Sequence, residues 1–355
     1  MRPLADLRIV ELGGIGPAPF AAMLLADHGA QVVRIERPGG PPVPAHLDPL
    51  ARGRAQWRQL DLKQAAARQE ALALAASADA LIEGFRPGVL ERLGLAPATL
   101  HAANPRLVIA RMTGWGQDGP MAQSPGHDIN YLALSGVLGL LGRDGEPPVP
   151  PANLLADYGG GGMLLAFAIL AGVLAARASG QGCVIDCAMT EGAALLAAAI
   201  DGFRAAGLWS APRGGNFLDG GAPFYRTYAC ADGRYVAVGA IEPAFWAALL
   251  GGLGLARDPL FASQHDRARW PAMSAALAAI FATRPRDAWA AAFAGTAACV
   301  TPVLAPDEAR RHPHALARHA FRTHGGVAQP APAPRFAPAS TGPAPPPCPP
   351  ARPEA

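Results

Sequence analysis

Charge is scarce in this chain. Only 16% of its 355 residues are Asp, Glu, Lys or Arg, and about half are hydrophobic. A disordered polymer needs the opposite balance, so a globular protein with a sizeable core is expected. Neither sign of charge dominates. The formal net charge of +3 falls short of a nucleic-acid binder's basic footprint, yet it leaves spare arginines for a small anion. Cysteine is also sparse: Cys183, Cys187, Cys230, Cys299 and Cys348 are odd in number and form no CxxC pair. That excludes a disulfide framework or zinc ribbon and fits a reducing, cytoplasmic setting. Long apolar runs are missing too. The most apolar, residues 163–176, has 14 residues, which suits a buried core helix better than a membrane span. No apolar h-region follows the start "MRPLADLRIVELGG", so neither a signal peptide nor membrane association is expected.

What is present is an alternation. "LRIVEL", "AQVVRIE", "ADALIEG" and "RLVIARM" are short apolar strands. Between them stand the alanine-rich helical stretches "APFAAMLLADHG" and "KQAAARQEALALAASA". Strands alternating with helices imply βαβ units and a Rossmann-like parallel sheet. A long helix over about residues 162–178 and a further strand, "GCVIDCAM", complete a larger α/β domain at 1–190. After a linker over 191–224, the hairpin signal "YRTYACADGRYVAVGA" and three helical stretches predict a smaller α+β domain at 225–320. The chain is expected to return to the larger domain over about 321–340, leaving a Pro/Ala-rich tail at 340–355.

One motif invites a nicotinamide cofactor. "ELGGIGPAPF" follows a strand and opens a helix, and Glu36 ends the next strand where a ribose-binding acid belongs. Pro19 occupies the third glycine position, however, and Pro17 stiffens the loop. NAD is therefore not expected, and the glycines are read as a tight strand-to-helix turn.

Three other positions carry chemistry. His127 follows a Pro-Gly turn in "SPGHDINY"; Asp157 precedes four glycines in "LLADYGGGGM"; Glu242 stands where a strand meets a helix in "VGAIEPAFW". Each has a plain structural explanation: a polar turn, a helix cap and a solvated helix-start carboxylate. Four consecutive glycines are costly for a mere cap and make more sense if backbone approaches a ligand.

The stretches "LRIVELGGIGPAPFAAMLLADHGAQVVRIERPG", "LIEGFRPGVLERLGL", "ARMTGWGQDGP", "GHDINY", "LLADYGGGGM", "LDGGAPFY" and "YACADGRYVAVGAIEP" resemble, in order, the family III CoA-transferase superfamily, also called CaiB/BaiF. Within it they are similar to the branch that racemises 2-methylacyl-CoA thioesters. The resemblance runs from residue 1 to about 335. It implies the family III fold, an interlocked homodimer, an acyl-CoA substrate, and no metal, NAD or other cofactor beyond the CoA moiety itself. It also implies two bases, one on each face of the α-carbon: His127 for the S face and Asp157 for the R face. Imidazole suits proton transfer near neutrality, whereas an aspartate needs help from burial. The Asp157 backbone N–H would stabilise the enolate. Glu242 would orient His127 across the dimer interface, and Asn153 would assist. Arg37, Lys63, Arg86 and Arg92 would meet the phosphates of CoA, with Gly84, Phe85, Gly126 and Tyr131 as further contacts. Met112, Met121 and Met189 are candidates for a pliable acyl pocket, with core packing the plainer reading. The rival chemistry is a true CoA-transferase, in which Asp157 attacks the thioester and passes CoA through an anhydride. His127 separates the two, because transferases of the superfamily generally lack it.

Overall fold

A computed structural model describes residues 1–40 and 43–338. Cys348 and the tail at 340–355 lie outside the described residues.

Six parallel strands form the main sheet: β1 (Arg8–Leu12), β2 (Gln31–Glu36), β3 (Arg54–Gln59), β4 (Ala80–Glu83), β5 (Val108–Thr113) and β6 (Val184–Ala188). Their order across the sheet is β3-β2-β1-β4-β5-β6. The central strands are nearly continuous apolar runs because helices cover both faces. One face packs on α1 (Pro17–Asp27) and on the long helix described below. The other packs on α2 (Ala65–Ala76), α3 (Val89–Arg92) and α4 (Pro97–Ala103). β3 is an unexpected element. Its sequence, RAQWRQ, has no apolar alternation because it lies at the sheet edge, largely exposed.

Sheet order reverses direction at β1, which pairs with β2 on one side and β4 on the other. In open α/β sheets such a switch point leaves a crevice outside the carboxyl ends of the strands. The loops after β1, β2 and β4 all emerge at that edge.

Charged residues interrupt the apolar strands at matching registers. Glu11 of β1 pairs with Arg34 of β2, and Glu83 of β4 with Arg111 of β5. All four side chains are buried. Arg34 also grips Glu36 and donates to the Gly14 carbonyl at 3.0 Å, while Arg54 donates twice to Glu11. Each buried charge is tolerable only because its partners replace lost water. Glu36 is thus held by Arg34 through Oε2 and joins the charge network of the sheet.

After α5 (Asp128–Leu134), Leu154–Met163 forms a wide π-helical segment that runs straight into α6 (Leu164–Ser179). The helix is therefore longer than its expected start near residue 162. At 26 residues, with a mean hydropathy of 2.0 over an 18-residue window, it is long and apolar enough to cross a membrane, but Leu165, Ile169 and Val173 are spent on the core. The glycines in this segment permit close packing. A Cβ on Gly160 would lie 2.5 Å from the Ala193 nitrogen, and one on Gly162 would lie 2.6 Å from Phe20. The partner is α7 (Met189–Leu196), whose Gly192 meets Gly160 backbone to backbone. α7 belongs to the larger core, whereas the following α8 (Ala198–Ala205) has no buried residue.

A second core gathers residues from Ala222 to Val300. Here β7 (Tyr225–Ala229), β8 (Tyr235–Gly239) and β9 (Val300–Pro302) make an antiparallel sheet, packed by α9 (Pro243–Gly252), α10 (Trp270–Phe281) and α11 (Arg286–Phe293). The last hairpin, β10 (Phe321–His324) and β11 (Val327–Pro330), returns to the larger unit. Arg52 donates to Gln329 and to the Pro330 carbonyl there.

Candidate active site

Two glycine-lined approaches bring the site together at the switch-point edge. The loop after β1 turns at Gly16 with φ +70°, and a Cβ there would lie 3.4 Å from Asp157 Oδ2. The π-helical segment therefore presents Asp157 directly over that loop. The loop after β5 begins at Gly114, where a Cβ would lie 2.1 Å from the Tyr131 ring. Tyr131 is buried on α5, stacks edge-on against Trp115, and its hydroxyl donates to the Gly126 carbonyl at 2.5 Å. Gly126 is glycine for the same reason, since a Cβ would meet Tyr131 at 2.7 Å and Trp115 at 3.0 Å. This packing holds the segment that carries His127, the exposed residue preceding α5, whose backbone N–H donates to Asn130 Oδ1.

Asp157 is half-buried, and burial is the main force raising its carboxyl above the usual aspartate range. A hydrogen bond from Asn153 Nδ2 at 3.2 Å lowers it again; the negative charge of Asp128 raises it and His127 opposes that. Burial also raises the Tyr131 phenol, with Asp157 adding to the shift and Arg86 resisting it. His127, Asp157, Asn153, Tyr131, Gly126 and Arg86 are thus one neighbourhood.

One expectation is corrected. The Asp157 backbone N–H does not face an open space. It donates to Asp128 Oδ2 at 2.9 Å, beside the Ala156 N–H at 2.8 Å. The N–H of Asp128 itself, at the start of α5, has no partner among the described residues.

The cations lie along the same edge. Arg37 follows β2, Lys63 follows β3, Arg86 follows β4, and Arg92 ends α3. All four are exposed, and none of their head groups forms an ion pair or hydrogen bond among the described residues. The strand arginines Arg34, Arg54 and Arg111, by contrast, are fully engaged. The loop bearing Arg86 is held from below. Glu83 accepts the Phe85 N–H at 2.6 Å, and Arg111 ties Glu83 to Glu91 on α3. Gly84 has no crowding neighbour, its nearest contact being Ala18 at 3.7 Å. Phe85 is half-buried against the core.

Glu242 is not part of this neighbourhood within one chain. It is exposed, immediately before α9 in the smaller unit, and no hydrogen bond or ion pair joins it to His127. Met112 and Met189 are buried in the core, and Met121 is exposed. A cavity of about 970 Å³ lies elsewhere, between the 210–221 loop and the smaller unit, lined by Arg226 and Arg267 among others. It holds neither His127 nor Asp157, so chemistry rather than volume locates the site. Among the described residues, no group of three or more His, Cys, Asp or Glu is placed to hold a metal ion.

The family profile described as "CoA-transferase family III" matches residues 4–355. Alpha-methylacyl-CoA racemase of Mus musculus is 48% identical over 335 residues, covering 94% of this chain and 86% of the relative. Its Homo sapiens counterpart is 47% identical over 320 residues, covering 90% and 82%. The crystal structure of a CAIB/BAIF family protein from Brucella suis superposes with a TM-score of 0.79 at 25% identity, covering 94% of this chain and 92% of that one. A sheet built around this switch point, a neighbourhood centred on Asp157 and a match along nearly its whole length give one conclusion: the chain belongs to CoA-transferase family III.

Proposed function

We propose that the protein is a 2-methylacyl-CoA racemase, interconverting the R and S thioesters through an enolate. The observation that carries this reading is the pairing of His127 with a half-buried Asp157 whose carboxyl is raised. A carboxylate held above its usual range is a stronger base, and an imidazole beside it supplies the second proton carrier. His127 removes or returns the proton on the S face, Asp157 on the R face. Asn153 keeps the Asp157 carboxyl oriented. Because the Asp157 N–H is occupied, the enolate oxygen is assigned to the amide of Asp128, which leads α5. CoA carries a diphosphate and a 3′-phosphate, and the uncommitted Arg37, Lys63, Arg86 and Arg92 match those anions in sign and place. No redox or metal step enters this proton transfer.

The reading includes a homodimer. Phe167 and Leu174 on α6 are 68% and 69% exposed, and Leu195 on α7 is 62% exposed. A second copy covering such residues would bury apolar surface, and it would bring an exposed Glu242 to His127.

The test is isotopic. In deuterated water, the protein should exchange the α-hydrogen of 2-methylacyl-CoA with no acceptor acid present. Transfer of CoA to succinate without that exchange would favour the transferase reading instead. A second expectation concerns the cations. Arg86→Ala removes a group with no partner in the fold, so stability should change by no more than about 0.5 kcal/mol. A charged hydrogen bond to phosphate contributes about 1.5–3 kcal/mol, so KM for acyl-CoA should rise about 10–150-fold with kcat nearly constant. A fall in kcat at unchanged KM would place Arg86 in the chemistry and not in CoA capture.

A further inference from the structure

Asp128 is the buried charge that the proton-transfer scheme leaves unused. It is 5% exposed, follows His127 directly, and opens α5. An acid at a helix start ordinarily remains in solvent and favours its own helix dipole. This one reaches out of its helix. A single oxygen, Oδ2, accepts the N–H groups of both Ala156 and Asp157, while Oδ1 is buried with no hydrogen-bond partner among the described residues. The backbone of one base-bearing segment is thereby tied to the side chain next to the other base.

We infer that Asp128 is a positioning residue for the proton-transfer pair, setting the separation of His127 and Asp157 and holding a negative charge against Asp157. This rests on the racemase reading above. Two consequences follow from the geometry. Both hydrogen bonds of the carboxylate go to the backbone of the segment that carries Asp157, so it acts through the two bases. The Asp128 carboxylate lies close enough for its charge to help raise the Asp157 carboxyl. Other titratable groups on the surrounding elements are His127 and Tyr131 next to α5 and on it, Tyr158 beside Asp157, and Glu191 on α7. Asp27 and Arg177 stand near the far ends of α1 and α6.

The test compares Asp128→Asn and Asp128→Ala with the unaltered enzyme, following α-hydrogen exchange from each enantiomer against pH. The asparagine oxygen can still accept both N–H groups, so the shape survives and the charge goes. Its expected signature is an acid limb for the R thioester displaced to lower pH, with KM unchanged within about twofold. Alanine removes the tie, and a misplacement of about 1 Å can cost on the order of a hundredfold. Both enantiomers should therefore slow by about 10–100-fold while KM stays near its original value, because the cations occupy other loops. Should the alanine variant fail to fold, the asparagine pH profile decides alone. An unmoved acid limb in the asparagine variant, or an alanine variant with unchanged exchange, overturns the proposal. Absence of exchange in the unaltered enzyme would instead overturn the racemase reading.

Discussion

In His127→Ala, racemisation should fall by about a thousandfold, within the range of about 10²–10⁴ that general acid–base catalysis contributes. The loss should be lopsided. Asp157 remains, so the R thioester should still lose its α-hydrogen to deuterated water, while the S thioester should not. Asp157→Asn should give the mirror result, with exchange confined to the S thioester through His127. Both substitutions are gentle on the fold. The hydrogen bond that secures the start of α5 uses the His127 backbone, and an amide at 157 can still accept from Asn153. Enantiomer-resolved exchange by mass spectrometry or NMR checks this. Symmetric loss of both exchanges in either variant would mean that the two groups do not act on opposite faces.

The second large effect is on stability. A Cβ at Gly192 would lie 1.9 Å from the Gly160 carbonyl oxygen and 2.6 Å from its carbon. These are backbone atoms, with no flexible side chain to swing aside. Overpacking of this kind costs about 1–3 kcal/mol, occasionally more, and Gly192→Ala should reach the upper end. The corresponding fall in Tm is roughly 4 °C for a chain of this size. The strain falls on the turn that carries Asp157, so activity should decline below the melting range as well. Gly251→Ala is the control. It lies in α9 with nothing within 4 Å of the added methyl, and helix propensity favours alanine there by up to about 1 kcal/mol. Equal melting of the Gly192 variant and the unaltered protein would show that α7 shifts freely, against the packing described.

Much of the fold was legible because buried parallel strands must be apolar. "RIVEL", "ALIE" and "VIARMT" announce themselves in that way. β3 did not, since an edge strand with water on both sides needs no pattern. The glycine run is ambiguous for a related reason. Glycine marks close approach of a backbone, but sequence does not say to what, and here the neighbour is another helix. Candidate site residues can be named from the sequence, whereas their wiring cannot. The tie made by Asp128 leaves no local signal, because its partners are 28 and 29 positions away. A usable signal did exist in the strands. Glu11, Arg34, Glu83 and Arg111 are charges set in apolar runs, and unpaired burial at such places is prohibitively costly. They had to find one another across adjacent strands.

That wiring divides the chain's charges into two electrical populations. Those under the sheet, around Glu11 and Arg111, are sealed from mobile ions. Those along the rim, Arg37, Lys63, Arg86 and Arg92, stand in solvent, where added salt shortens the reach of a charge to about 8 Å at physiological ionic strength. On the proposed function, dissolved ions would act on capture of a phosphate-bearing ligand and leave the scaffold beneath it largely untouched. The protein can hold its shape in a brine that loosens its hold on what it binds.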